Sequence, residues 1–171
     1  ADVVHISPSH HFPTGTVTPA SRRYELLGWA AKQEGRYIIE DEYDSEFRLV
    51  GNPIPALQSI DASDKVIYMN TFSKSLSSTI RISYMVLRIP LMVRYNHVLS
   101  FYACTVSNFD QYTLTRFIQE GYLEKHINRM RKFYRNSRDR ILGCIRSHRL
   151  YPQVTIKEEN AGLHFLMEID T

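Results

Sequence analysis

Short apolar runs separated by polar segments dominate the first half of the chain. Four of them lie at Val3–Ile6, Tyr37–Glu40, Val66–Met69 and Ile82–Leu87, and each is rich in β-branched or aromatic residues. Runs of this length and composition are typical of buried strands. Between the first two runs, apolar residues recur at helical spacing from Arg22 to Gln33. The order strand, helix, strand, loop, strand predicts an α/β layer with a mostly parallel sheet.

The second half of the chain has a helical pattern. Apolar spacing predicts helices at Leu91–Ala103, Asp110–Glu120 and Tyr122–Arg146, and a final strand at Leu163–Ile169. The third helix is amphipathic, and its polar face is strongly basic. We expect that face to be solvated or to make interdomain contacts, with phosphate binding as the alternative.

Composition limits the possible classes of protein. The chain has 171 residues, of which 43% are hydrophobic and 23% charged, with a formal net charge of +3. These values are ordinary for a globular protein and give no argument for nucleic-acid binding. No apolar run approaches the ~20 residues that cross a bilayer. Cys104 and Cys144 lack metal-ligand spacing, so we expect two unpaired, buried thiols in a cytosolic protein. The chain begins and ends within strand-like runs, which suggests a fragment of a longer polypeptide.

A lysine follows the third apolar run within the segment Thr71-Phe72-Ser73-Lys74-Ser75. An isolated lysine after a strand is usually solvated, but other polar groups accompany this one. The hydroxyls of Thr71 and Ser73 are potential donors to a phosphate. Arg81 precedes the fourth apolar run and is close enough in sequence to reach the same pocket. This segment therefore predicts a reactive amine beside an anion site.

A carboxylate and a phenol follow the second apolar run. Asp41 and Tyr43 are two residues apart, so on an extended chain their side chains point to the same side. The alternative is a solvated acidic loop from Glu40 to Asp44. An amine, a carboxylate, a phenol and a guanidinium at neighbouring strand ends match the groups that hold pyridoxal phosphate.

Two adjacent histidines, His10 and His11, lie in the loop after the first run, just before Pro13-Thr14-Gly15. The Pro-Thr-Gly sequence predicts a tight turn near the carboxyl ends of the strands, where open α/β sheets bind ligands. No third metal ligand is suggested nearby in the sequence, so we predict no metal site.

Several of these motifs, in this order, resemble fold-type I aminotransferases. More narrowly, they resemble the aminotransferase-like domain of the MocR/GabR group of GntR-superfamily bacterial transcription regulators. The resemblance covers essentially the whole chain. The matching segments are Pro8–Gly15, Ile39–Phe47, Pro55–Ser59, Thr71–Leu76, Arg81–Leu87 and Gly121–Met130.

The resemblance implies a role for each candidate residue. Lys74 would carry pyridoxal phosphate covalently, Asp41 would face the pyridine nitrogen, and Tyr43 the ring oxygen. The implied phosphate ligands are Arg81, Thr71 and Ser73. Aminotransferases usually have an asparagine before Pro-Thr-Gly, whereas this chain has Phe12, as the regulators often do. His10 or His11 would then supply the polar contact with the cofactor. A further departure, Ser78-Thr79 where the family often has Pro-Gly, leaves the phosphate geometry open.

The implied fold is α/β: part of the fold-type I PLP-dependent transferase large domain over residues 1–120. Residues 121–171 would form a long interdomain helix and the beginning of a small α+β domain.

The implied function is effector sensing in a cytoplasmic, homodimeric regulator. It would bind a small amino compound, and would bind DNA only through a winged-helix domain that this chain lacks. The alternatives are a fragment of a true aminotransferase and a cofactor-free module of the same fold. We expect the chain alone to bind the cofactor weakly or not at all and to lack transamination activity.

Overall fold

The computed structural model describes residues 1–51, 54–160 and 162–170. Asn52, Pro53, Ala161 and Thr171 lie outside the described residues. The strands are β1 Val3–Ile6, β2 Tyr37–Asp41, β3 Val66–Thr71, β4 Ser83–Val86, β5 Val154–Lys157 and β6 Leu166–Ile169. The helices are α1 Ala20–Ala31, α2 Leu57–Ile60, α3 Phe72–Ser75, α4 Ile89–Leu99, α5 Asn108–Gln119 and α6 Tyr122–Ser147. Two 3₁₀ turns occur at Ser45–Phe47 and Tyr151–Gln153.

The first four strands form one sheet in the order β1-β2-β3-β4. The first three are parallel, as the sequence pattern predicted, and β4 runs antiparallel to β3. Asp41, the last residue of β2, lies opposite Met69 of β3, two residues before Thr71. The carboxyl ends of β2 and β3 therefore bring the carboxylate segment and the lysine segment to the same edge of the sheet.

One face of this sheet is packed and the other is open. Ile38 of β2 and Val66 of β3 are fully buried against Ala30 of α1 and Leu57 of α2. The expectation that all four apolar runs are buried was wrong for β1 and β4. No residue of β1 is buried, every residue of β4 is exposed, and Met85 keeps 47% of its accessible area. Both are edge strands of this sheet and have a neighbouring strand on one side only, so their apolar composition does not bring burial.

A buried carboxylate fixes α2 against the sheet. Glu40 is fully buried, and its two oxygens accept the backbone N–H groups of Leu57 and Gln58 at 2.6 and 2.9 Å. Burial raises the pKa of Glu40, and these two backbone donors oppose the rise. The carboxylate satisfies N–H groups that a short helix leaves free at its beginning, which explains an acidic residue in an apolar layer.

The long helix was predicted almost to the residue, as Tyr122–Arg146 against the observed Tyr122–Ser147. Its basic face contacts the loop after β2: Arg131 and Arg135 donate to the backbone carbonyls of Glu46 and Leu49. Tyr134 packs edge-on against the buried Phe47, with ring centroids 5.2 Å apart. These contacts hold α6 against the loop that follows β2.

The last strands form an antiparallel hairpin, β5 with β6. The sequence pattern predicted β6, although too long at its start, and did not predict β5. None of the helices in the described part of the chain has the length and apolarity to span a membrane.

Candidate functional site

Lys74 lies in α3, the short helix that begins directly after β3. The Thr71 side chain caps this helix by accepting the backbone N–H of Ser73 at 3.1 Å. The Lys74 side chain is exposed, whereas the adjacent Ser75 is buried. The amine is therefore held on a defined turn at the edge of the sheet and is accessible to a small molecule.

The predicted phosphate ligands come together beside Lys74. The Arg81 guanidinium donates to the Ser73 hydroxyl at 3.4 Å. That hydroxyl donates to the carbonyl of Ile80, and the Thr71 hydroxyl donates to the carbonyl of Ile82. A hydroxyl has a single proton to donate. In this conformation both hydroxyls use theirs on the backbone, so Arg81 is the group that is free to bind an anion.

Asp41 ends β2 on the open face of the sheet. Its Oδ2 lies 3.3 Å from Nε2 of His5, which belongs to the neighbouring strand β1. About a third of the Asp41 side chain is exposed. The carboxylate is therefore supported on one side and accessible on the other, an arrangement that suits contact with a cationic ring nitrogen.

Tyr43 does not lie on an extended chain, because β2 ends at Asp41 and Tyr43 belongs to the turn that follows. The argument that residues two apart point to the same side therefore does not apply here. Tyr43 donates its hydroxyl to the backbone carbonyl of His10 at 2.8 Å. Burial, followed by the nearby Asp44 and Asp41, raises the pKa of Tyr43 to about 12. The phenol is thus neutral and ties the loop after β2 to the loop after β1.

The side chains of the two adjacent histidines lie in different environments. His10 is 1% exposed, and its Nδ1 lies 2.8 Å from Asp44 Oδ2. His11 is exposed, and its Nδ1 lies 2.8 Å from the Thr14 hydroxyl. The Pro-Thr-Gly segment forms the predicted tight turn, in which Gly15 has φ +70° and donates to the His11 carbonyl.

His164 and Asp44 pack against His10, and the sequence analysis selected neither as a candidate site residue. The His164 ring stacks on that of His10 with centroids 3.8 Å apart. Burial and the neighbouring His10 lower the pKa of His164, and Asp44 opposes the change. The one signal in the sequence was a histidine within the apolar run that precedes β6.

The side-chain atoms of His10, Asp44 and His164 that could bind a metal all lie within 4.8 Å of one another. The structure thus places two possible metal ligands, which the sequence did not suggest, beside His10. The observed contacts do not suit a metal. His10 and Asp44 hydrogen bond directly to each other, and the two imidazoles stack face to face. Metal ligands instead point their lone pairs at a common centre. The absence of a metal site stays a prediction.

Comparison with solved structures defines the class of protein. The fold matches a kynurenine aminotransferase of Pyrococcus horikoshii, solved with PMP, with a TM-score of 0.82 and 32% identity over 95% of this chain and 40% of that one. The aromatic aminotransferase Aro9 of Candida albicans matches with a TM-score of 0.83 at 22% identity and supports the fold alone. The described residues therefore adopt part of the fold of the PLP-dependent aminotransferases.

The sequence comparisons are more specific. The HTH-type transcriptional regulator YdeL of Bacillus subtilis is 46% identical over 98% of this chain and 36% of its own length. MocR of Rhizobium meliloti, a probable rhizopine catabolism regulatory protein, is 35% identical over 96% of this chain and 33% of its own. No protein-family model matches the sequence. The chain matches the aminotransferase-like domain of MocR-type regulators and spans about a third of the length of these relatives.

Proposed function

We propose that this chain is part of the pyridoxal phosphate-binding, effector-sensing domain of a bacterial MocR-type transcription regulator. One observation carries the proposal: Arg81 and Ser73 converge in space next to Lys74, at the edge of the sheet where β2 presents Asp41. The cofactor, when bound, would supply an aldehyde that reacts with an amine and a pyridine ring that withdraws electrons.

The donor set fits this cofactor in its chemistry. Arg81 would bind the phosphate, and Asp41 would hold the ring nitrogen in its protonated form. Thr71 and Ser73 would reach the phosphate only by turning from the carbonyls of Ile82 and Ile80. Such a turn costs two hydrogen bonds, which is consistent with our expectation that the chain alone binds the cofactor weakly.

The other assigned roles also belong to the proposal. Tyr43 would reach the ring oxygen after releasing the His10 carbonyl, and the exposed His11 is better placed than the buried His10 for a direct polar contact. Residues 1–120 would be the cofactor-binding part, and residues 121–171 the interdomain helix and the beginning of a small domain. The whole protein would be a cytoplasmic homodimer that senses an amino compound and binds DNA through a separate winged-helix domain.

A regulator is preferred to an enzyme because Phe12, with 70% of its area exposed, occupies the place of the usual asparagine. The relatives matched over 96–98% of this chain, at 35–46% identity, are regulators. A sensor also needs the ligand to favour one conformation over another through its contacts. The contact between His10 and His164 gives such a domain a defined junction that a ligand at Lys74 would adjoin.

Reductive trapping tests the cofactor assignment. The protein is incubated with pyridoxal phosphate, reduced with borohydride and digested, and the modified lysine is located by mass spectrometry. We expect modification at Lys74 and its loss in Lys74→Ala. Lys132→Ala, which removes an exposed lysine of α6, is the matched control and should leave the modification intact.

Modification spread evenly over the exposed lysines would contradict the proposal and favour the cofactor-free module. Regulator and enzyme are separated by offering the protein pairs of amino and keto acids. Turnover that depends on Lys74 would favour the aminotransferase alternative, whereas trapping without turnover would favour the sensor.

A further inference from the structure

A cavity between the loop that follows β2 and helix α6 is lined by arginines. Its volume is about 390 Å³, within the ~300–1,000 Å³ range of small-molecule sites. Lys74, Asp41 and Arg81 do not line it. We call it the arginine pocket and define it by Ser9, Glu42, Arg48, Tyr68, Arg131 and Arg135.

We propose that the arginine pocket binds a small oxyanion, a ligand with a carboxylate or phosphate-type group, at a site separate from Lys74. The pocket collects three guanidinium groups from two parts of the fold. Arg48 comes from the loop after β2, and Arg131 and Arg135 come from α6. Guanidinium groups bind carboxylate and phosphate oxygens through paired N–H donors.

The arginines still have donors to offer. Arg48 Nε is buried and, within the described part of the chain, has no hydrogen-bond partner. Arg135 uses Nη2 on the Leu49 carbonyl, and Arg131 uses Nε and Nη1 on Glu46 and Asn128. The other N–H groups of Arg131 and Arg135 make no recorded hydrogen bond to the described residues. A buried, unpartnered donor is costly, and an oxyanion would satisfy it.

The single carboxyl group among the described residues of the lining is Glu42, and it does not oppose an anion near neutral pH. Glu42 is 3% exposed, and burial raises its pKa to about 8, although Ser9 donates to its Oε1 at 2.8 Å. A protonated Glu42 carries no charge, so below its pKa it does not repel an anion in the pocket.

The charged and titratable groups facing Glu42 come from every element around it: Glu40 of β2, Arg23 of α1, Asp44 of the loop after β2, Tyr68 of β3, and the three pocket arginines. Glu40 and Asp44 disfavour ionisation of Glu42, and Arg23 favours it. Burial raises the pKa of Tyr68, which keeps that phenol neutral. Loss of the Glu42 proton is thus the change that would place a negative charge in the lining as pH rises.

Isothermal titration calorimetry with sulfate and with succinate tests the proposal, at fixed ionic strength and near pH 7. We expect saturable binding that weakens about tenfold or more in Arg48→Gln, because a charge-assisted donor pair is lost. Arg140→Gln removes an exposed arginine of α6 outside the pocket and should change the affinity less than about twofold. Lys74→Ala should leave this binding unchanged, which separates the pocket from the proposed cofactor site.

A second variant keeps the test decisive if Arg48→Gln does not fold. From about pH 7 to about pH 9, wild-type affinity for either anion should fall as Glu42 ionises, and Glu42→Gln should abolish most of that fall. Binding of sulfate alone would identify a phosphate-type ligand, and binding of succinate alone a carboxylate. No saturable binding of either anion, equal binding by Arg48→Gln, or an unchanged pH dependence in Glu42→Gln would overturn the proposal.

Discussion

The imidazole ring of His10 lies face to face with that of His164, with the ring centroids 3.8 Å apart. His10 belongs to the loop after β1, and His164 precedes β6, so the contact joins the four-stranded sheet to the β5–β6 hairpin. Asp44 holds the other edge of the His10 ring. This small buried cluster sets how the end of the chain meets the edge of the sheet that carries Lys74.

Replacing His10 by alanine should destabilise the protein by about 2–4 kcal/mol, because it leaves a cavity and a buried Asp44 without its partner. The free energy of unfolding is measured by urea titration. His11→Ala is the matched control, since His11 is the next residue and exposed, and it should cost less than about 0.5 kcal/mol. Similar losses in the two variants would show that the buried cluster contributes little.

Gly162 makes the same cluster possible. A Cβ at this position would lie 2.2 Å from His10 Nδ1 and 2.9 Å from Asp44 Oδ2, closer than atoms approach. Gly162→Ala should therefore cost roughly 2 kcal/mol or more through overpacking. Gly143→Ala, in the interior of α6 with nothing within 4 Å of the new Cβ, should instead stabilise by about 0.5–1 kcal/mol. Thermal unfolding of the two variants in parallel checks the opposite signs.

The stability of the protein should depend on the charge of Glu42. Burial raises the folded-state pKa of Glu42 from 4.5 to about 8, so over this interval the folded state binds more protons than the unfolded state. The contribution of Glu42 to the free energy of unfolding must then fall as pH rises from 4.5 to about 8. The full shift corresponds to about 4–5 kcal/mol as an upper limit.

Urea titrations across this range should show that Glu42→Gln removes most of the fall and becomes more stable than wild type near pH 8. Glu124→Gln, which removes an exposed carboxylate of α6, should retain the wild-type profile. A wild-type profile in Glu42→Gln would show that this carboxyl group is not the source of the pH dependence.

Arg81 should dominate phosphate binding at the proposed cofactor site, because the hydroxyls of Thr71 and Ser73 already donate to backbone carbonyls. We expect Arg81→Gln to reduce borohydride trapping of pyridoxal phosphate at subsaturating concentration about tenfold, the value of one charge-assisted contact. Arg94→Gln, at an exposed position of α4, should trap as the wild type does. A larger loss in Ser73→Ala than in Arg81→Gln would reverse this order of importance.

Much of the fold followed from local pattern. The parallel order of β1, β2 and β3, and the length of α6, depend on strand and helix periodicity, which neighbouring residues determine. The exposure of β4 and the pairing of β5 could not be predicted in this way. They depend on which elements pack alongside, and a short apolar run is the same in sequence whether it is central or at an edge.

The candidate site, like the fold, could be predicted only in part from the sequence. The sequence alone determined which groups stand at the ends of the strands: the amine of Lys74, the carboxylate of Asp41 and the guanidinium of Arg81. Only the tertiary structure decided that His164 and Asp44 enclose His10 and that Arg131 and Arg135 face Glu42. Strand periodicity determines which residues stand at the end of a strand. Contacts between distant segments instead depend on the paths of the loops and on burial, which local residue spacing does not encode.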